Sequence, residues 1–166
     1  HREHFQVDEI LTAKLRDISE KAGSSLYMTM VAAIGVLMNK YTGEDDICFG
    51  IPISKRRNNP LLENAIGYYV DTAVARIRFQ SNDSFVSLVK HVREVATNAI
   101  KKSKLSFEKI VEIVKPERIS NINPIYQLTI SSINGVVVPM DLNGVVAERI
   151  FVPDDVAPFD FTFYIW

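Results

Sequence analysis

Few residues of this chain have both the type and the spacing to do chemistry. Histidine occurs three times. His1 and His4, in "HREH", stand at i and i+3, a spacing that can hold a metal ion on a helix face. A closed metal site needs three or four protein ligands, however, and no second ligand pair follows. No metal site is therefore expected. His91 falls off the apolar stripe of its own segment and reads as a solvated residue. The single cysteine, Cys48, lies in the apolar run "ICFGIPI". There a thiol packs as a small hydrophobe rather than acting as a nucleophile. One cysteine also excludes an internal disulfide and a cysteine-based metal cluster. No G-x-S-x-G elbow, H-E-x-x-H pair, C-x-x-C pair or phosphate-cradling glycine-rich loop is present. The residues supply no general base of their own, so no catalytic residue is assigned.

One carboxylate is out of keeping with its neighbours. The stretch "IGYYVDTAVARIR", residues 66–78, reads as a strand with Asp71 in the middle of an apolar run. Side chains alternate between faces of a strand. Asp71 therefore shares a face with Ala73, Ala75, Ile77 and Phe79, and Arg76 and Arg78 point the other way. A carboxylate on an apolar face is costly unless paired or solvated. In one reading Asp71 sits at the strand end, outside the core, bonded to turn amides. In the other, that strand end borders an internal channel. The residues alone favour the first.

The elements that position these residues follow from periodicity. "VDEILTAKLRDISEKAG" carries Leu11, Leu15, Ile18 and Ala22 at helical spacing, with Asp8 as N-cap and Gly23 as stop. "SLYMTMVAAIGVLMNKYTG" predicts a buried helix with Leu26, Met30, Ala33, Ile34 and Leu37 on its stripe. "DDICFGIPISKRR" reads as a strand running into the polar loop "SKRRNNPLLEN". A third helix, in "NDSFVSLVKHVREVATNAIKKSK", has Phe85, Leu88, Val89, Val92, Ala96 and Ala99 as its stripe and Asn82 or Asp83 as cap. "FEKIVEIV" is a short helix capped by Ser106 and halted by Pro116. From Pro124 the pattern turns to strands. "IYQLTISSI" sets Tyr126, Leu128 and Ile130 against Gln127, Thr129 and Ser131. In "PFDFTFYIW", Phe159, Phe161, Phe163 and Ile165 alternate with Asp160, Thr162, Tyr164 and Trp166. Asn134-Gly135 and Asn143-Gly144 are hairpin signals. The order α-α-β-β-α-α-β-β-β implies an α/β fold, a layered arrangement of helices on a mixed β-sheet.

With 166 residues, 47% hydrophobic and 23% charged, the chain is long enough for one well-buried domain and short for two. Residues 1–166 read as that single domain. The net charge of −1 offers no phosphate-binding surface, so nucleic acid is not an expected partner. No apolar run reaches transmembrane length and no secretion signal opens the chain, so no membrane partner and a cytoplasmic setting are the expectations. The abrupt opening "HREHFQVDE" and the strand-like close "FDFTFYIW" have the look of an excised piece.

Five stretches, in order, resemble motifs of nonribosomal peptide synthetase condensation domains. "YMTMVAAIGVLMNKYTGEDDICFGIPISKR" resembles the segment ending in G-T-P-[IV]-x-G-R, which here reads Gly50-Ile51-Pro52-Ile53-Ser54-Lys55-Arg56. "IGYYVDTAVARIR" is similar to I-G-x-F-V-N-T-x-x-x-R. "KSKLSFEKIVE" sits where that family has H-Q-D-x-P-F-E. "RISNINPIYQLTIS" resembles R-D-x-S-R-N-P-L-F-Q and keeps Arg118, Asn123, Pro124 and Gln127. "PFDFTFYI" resembles K-F-D-L-T-L. The match covers almost the whole chain.

The resemblance implies a chloramphenicol-acetyltransferase-like architecture of two α/β lobes around a channel, with this chain as most of the C-terminal lobe. It implies joining of a donor acyl or peptidyl thioester to the amine of an acceptor aminoacyl thioester. No cofactor is bound directly; both substrates ride on the phosphopantetheine arms of carrier proteins. The implied partners are the N-terminal lobe of the same domain, peptidyl carrier proteins and an adjacent adenylation domain. The catalytic motif, H-H-x-x-x-D-G, belongs to the other lobe and is absent here, so this chain alone is expected to be inactive. Arg56, Asp71, Thr72 and Gln127 are the implied channel residues. Arg56 is otherwise a solvated loop cation, and Gln127 otherwise cross-pairs on a solvated face. Arg118 reads as a structural tie and Asp160 as a structural hydrogen-bonding group. Asp71 stands where the family usually has Asn, and an ionised Asp accepts hydrogen bonds but donates none. Lys102, Ser103, Lys104 and Ser106 replace the His, Gln, Asp and Pro of the third motif, and Ile119 and Ile122 depart from the fourth. These departures suit a divergent subtype, a polyketide-hybrid module or a degenerate domain. They also leave open a non-catalytic condensation-like docking module, or a stand-alone acyltransferase of the same superfamily.

Overall fold

Asp8 starts the first helix, α1 (Glu9–Lys21), by accepting a 2.7 Å hydrogen bond from the Leu11 amide. This satisfies one of the donors that a helix start leaves unpaired. The computed structural model describes residues 3–132, 144 and 159–165. Ser25 caps α2 (Leu26–Thr42), and Gly43, at φ +74°, ends it in the left-handed conformation that glycine adopts without strain. Strand β1 (Asp46–Ser54) follows, then two 3-10 turns, Lys55–Asn58 and Pro60–Leu62, and strand β2 (Val70–Arg78). Helices α3 (Phe85–Lys101) and α4 (Phe107–Val114) precede strands β3 (Leu128–Ser132) and β4 (Phe161–Ile165).

The sheet order is β2-β1-β3-β4. β1 pairs antiparallel with β2 along its whole length and parallel with β3, and β3 pairs parallel with β4. The sheet is mixed, as the element order predicts. Because β3 and β4 run parallel, no tight hairpin joins them. Asn134-Gly135 and Asn143 lie outside the described residues, and Gly144 is an exposed bend.

The core lies between one face of the sheet and helices α1 to α3. Phe49, Ile77, Leu128 and Ile130 meet Val31, Ala32, Ile34, Leu88, Val89 and Val92 there. Each of these side chains larger than alanine contributes roughly 1.5–3 kcal/mol by leaving water. The α3 stripe is thus as its spacing predicts, although its cap is Ser84, whose Oγ accepts from the Ser87 amide. The α2 stripe is rotated. Thr29 is fully buried, its hydroxyl 2.7 Å from that of Ser19 and 3.2 Å from the Ser25 carbonyl. This pairing lets a polar residue take the core face and turns Leu37 outward. Thr129, on the opposite face of β3 from Leu128 and Ile130, is buried as well. Cys48 is only half-buried, on the sheet face opposite Phe49, and burial pushes its thiol pKa up. His91 is half-buried, not solvated, and its Nε2 is shielded without a hydrogen-bond partner among the described residues. Among the described residues no single helix is long and apolar enough to cross a membrane.

Candidate functional site

Strand β2 begins at Val70, so "IGYY" lies in the connection and Asp71 is the second strand residue. The alternation of β2 turns Asp71 to the same side as Ala73, Ala75 and Ile77, and all four are buried. Asp71 is therefore inside the fold, not beyond the strand end. Its Oδ1 accepts from the Thr72 amide at 2.8 Å and from the Phe107 amide at 3.3 Å. Phe107 is the first residue of α4, so the carboxylate sits at the positive end of that helix. Oδ2 lies 2.8 Å from Lys55 Nζ. That contact is an ion pair by distance, with an alignment too poor for a hydrogen bond. Burial pushes the Asp71 carboxyl up, but Lys55 and the Thr72 and Phe107 amides outweigh it and hold it below its ordinary 3.8. Such a group takes up no proton near neutral pH, so its work is to hold elements together rather than to transfer protons.

Lys55 is the partner that periodicity within β2 misses. Ile53 faces Asp71 across the ladder, and Lys55 emerges two residues further on the same face. The signal was in the register. A connection of 15 residues between the strands, 55–69, sets no register by itself.

Around Thr72 the structure gathers aromatic rings. The Tyr126 phenol interacts with the Thr72 hydroxyl, and burial raises its pKa. The Tyr126 ring, 2% exposed, packs edge-on to Phe107 at 5.0 Å and against Phe159 at 5.3 Å. It also covers Gly50, where an added Cβ would lie 2.4 Å from Tyr126 Cε2. Gly50, Thr72, Phe107 and Tyr126 come from four of the stretches that carry the family resemblance. Their sequence distance hides that they touch.

Arg56 is tied rather than freely solvated. Its Nη2 donates to the Gly67 carbonyl at 3.1 Å, and its guanidinium lies 4.9 Å from the centre of the Tyr69 ring. Both contacts fold the β1–β2 connection back on itself. Arg56→Ala is expected to cost about 1 kcal/mol, with Arg56→Lys recovering only part, as read from urea midpoints. Gln127 is exposed just before β3, and its amide donates to the Asn123 carbonyl at 3.0 Å. Arg118 and Asp160 are both exposed, in loops ahead of β3 and β4. Among the predicted residues, Asp71 and Thr72 come together with Lys55, Phe107 and Tyr126. Arg56 and Gln127 each bond within their own connection. Among the described residues no group of three or more His, Cys, Asp or Glu is placed to hold a metal ion.

Comparison with known proteins adds three findings. The family model described as Condensation domain matches residues 1–147. Phosphinothricin tripeptide synthetase of Streptomyces viridochromogenes is 32% identical over 127 residues, 76% of this chain and 12% of that one. The fold matches a four-domain nonribosomal peptide synthetase bound to AMP and glycine, with a TM-score of 0.83 and 21% identity over 96% of this chain and 13% of that chain. It also matches the X-domain from teicoplanin biosynthesis, with a TM-score of 0.68 and 24% identity over 72% of this chain and 26% of that chain. The chain thus spans a small part of the relatives it matches.

Proposed function

This chain belongs to the condensation-domain family, and from that premise we propose that it forms one wall of the channel where a carrier-bound acyl or peptidyl thioester is joined to the amine of a carrier-bound amino acid. The observation that carries this reading is the family match over residues 1–147. In the reaction the amine nitrogen bonds to the thioester carbonyl carbon, the carbon–sulfur bond breaks, and the donor thiol is released. Holding the two reactants in line supplies much of the rate of such a step.

In this reading the chain is most of the C-terminal lobe of a chloramphenicol-acetyltransferase-like domain. The N-terminal lobe supplies the catalytic histidine motif. The phosphopantetheine arms of peptidyl carrier proteins deliver both substrates, and an adenylation domain stands alongside. Arg56, Asp71, Thr72 and Gln127 border the channel. Asp71 acts there as a buttress: it is buried, accepts from the Thr72 and Phe107 amides and pairs with Lys55, so it holds the wall that Thr72 and Tyr126 present. Exposed apolar side chains on the β1–β2 connection, Leu61, Ile66 and Tyr68, fit a lobe that packs against another.

The test is turnover by the full polypeptide that carries this segment, with donor and acceptor carrier proteins loaded as thioesters. Mass spectrometry is expected to find the donor acyl group on the acceptor amine. Loaded carriers that stay unchanged while both still bind the polypeptide would replace this reading with the docking module. Likeness to the teicoplanin X-domain, which was also solved in complex with OxyB, is what favours that second reading.

A further inference from the structure

β2 is an outer strand of the described sheet. Its register with β1 decides which backbone groups face outward. The Lys55 amide donates to the Tyr69 carbonyl and the Phe79 amide to the Asp45 carbonyl, at the two ends of an uninterrupted antiparallel ladder. Bonding alternates along such a ladder, so Asp71, Ala73, Ala75 and Ile77 turn their N–H and C=O groups to β1. Thr72, Val74, Arg76 and Arg78 turn theirs outward. The Thr72 amide confirms the phase: it bonds Asp71 Oδ1 rather than a strand. Among the described residues no backbone partner is found for the outward groups of Val74 and Arg76.

A groove of about 400 Å³ runs along this edge. Val74, Val95, Ala99, Leu105 and Ile110 give it an apolar lining, and Arg76 and Lys102 are its charged residues, with no carboxylate among the lining. Arg76 and Arg78 share one carboxylate, Asp46, which leaves surplus positive charge at this side of the strand. α4, held by the Asp71–Phe107 bond, closes the groove at the Thr72 end.

We propose that this groove is a strand-addition site for an extended peptide segment bearing carboxylates. Its backbone would pair with the outward groups of Val74 and Arg76. Alternate side chains would lie on the apolar lining, and its carboxylates would face Lys102 and the surplus guanidinium charge. Main-chain bonding provides affinity in this mode, and the side-chain groove provides selection. A second β2 strand is a poorer occupant, because each copy would bring further arginines to an already basic edge.

The probes are fluorescein-labelled Val-Glu-Val-Glu-Val and Val-Lys-Val-Lys-Val, titrated by anisotropy into the full polypeptide carrying this segment. The acidic peptide is expected to bind saturably and at least tenfold tighter than the basic one. Val74→Pro removes an outward N–H and leaves every β1–β2 bond in place, so it should weaken the acidic peptide at least tenfold. Lys102→Glu, an exposed change that leaves the fold intact, should erase the preference for the acidic peptide. Hydrogen exchange at Val74 and Arg76 should slow when the peptide binds. Equal binding of the two peptides to the parent overturns the proposal. So does undiminished binding by a folded Val74→Pro variant, or slow exchange at both amides before any peptide is added, which would mean that the edge is already filled.

Discussion

Asp71→Leu is expected to lower the stability of the fold by about 2–4 kcal/mol, and Asp71→Asn by about 1 kcal/mol or less. Leucine fits the volume but accepts nothing. It strands the Thr72 amide at the strand edge and the Phe107 amide at the start of α4, both of which bond Asp71 Oδ1. Each stranded donor is part-buried and costs about 1–2 kcal/mol, less than the full desolvation of a buried one. Loss of the Lys55 ion pair adds little, because the Lys55 side chain is half exposed and recovers water. Asparagine keeps a carbonyl oxygen for both amides and gives up only the charge. Urea unfolding of the three proteins measures the differences. A leucine variant within about half a kcal/mol of the parent would remove Asp71 from any role in holding α4 to β2.

The same carboxylate sets a pH dependence. Its pKa in the fold lies below its ordinary 3.8. The folded state therefore binds this proton less readily than the unfolded chain, so Asp71 contributes stability that is full above 3.8. That contribution is lost as pH falls through the lowered value. Asp71→Asn should make the stability curve shallower below 3.8 and leave its slope near neutral pH unchanged.

Local features were legible where the decisive interaction is itself local. Asp8 and Ser106 cap their helices within three residues of themselves, and the α3 stripe needs only its own periodicity. What failed was decided at a distance. The α2 stripe is rotated because Thr29 finds the hydroxyl of Ser19, ten residues away on another helix. His91 sits off its stripe, yet neighbouring elements half-cover it. Nothing within "IGYYVDTAVARIR" accounts for Asp71, because its partners stand on either side of that stretch, Lys55 before it and Phe107 after it. Alternation correctly gave the face of Asp71, but which donors meet a face is a question of register and helix placement. The family motifs mark separate stretches of the sequence and do not reveal that Gly50, Thr72, Phe107 and Tyr126 are neighbours.

That cluster yields the second large effect. Gly50→Ala is expected to destabilise the fold by about 3 kcal/mol. The new methyl would stand 2.4, 2.8 and 2.9 Å from three carbons of the Tyr126 ring, where non-bonded carbons settle at about 3.5–4 Å. The ring must yield, and it has nowhere easy to go: Phe107 and Phe159 pack against it, and its phenol engages Thr72. The methyl itself is harmless, since Gly50 has ordinary strand geometry and alanine is no worse than glycine there. The cost therefore belongs to the pair. With Tyr126→Ala already in place, adding Gly50→Ala should be neutral within about half a kcal/mol, giving a coupling of roughly 3 kcal/mol in a double-mutant cycle. Additive losses would mean that the ring does not rest on Gly50. Strong coupling would make Gly50 the seat of Tyr126, and through Tyr126 the support of the packing that Thr72 and Phe107 share.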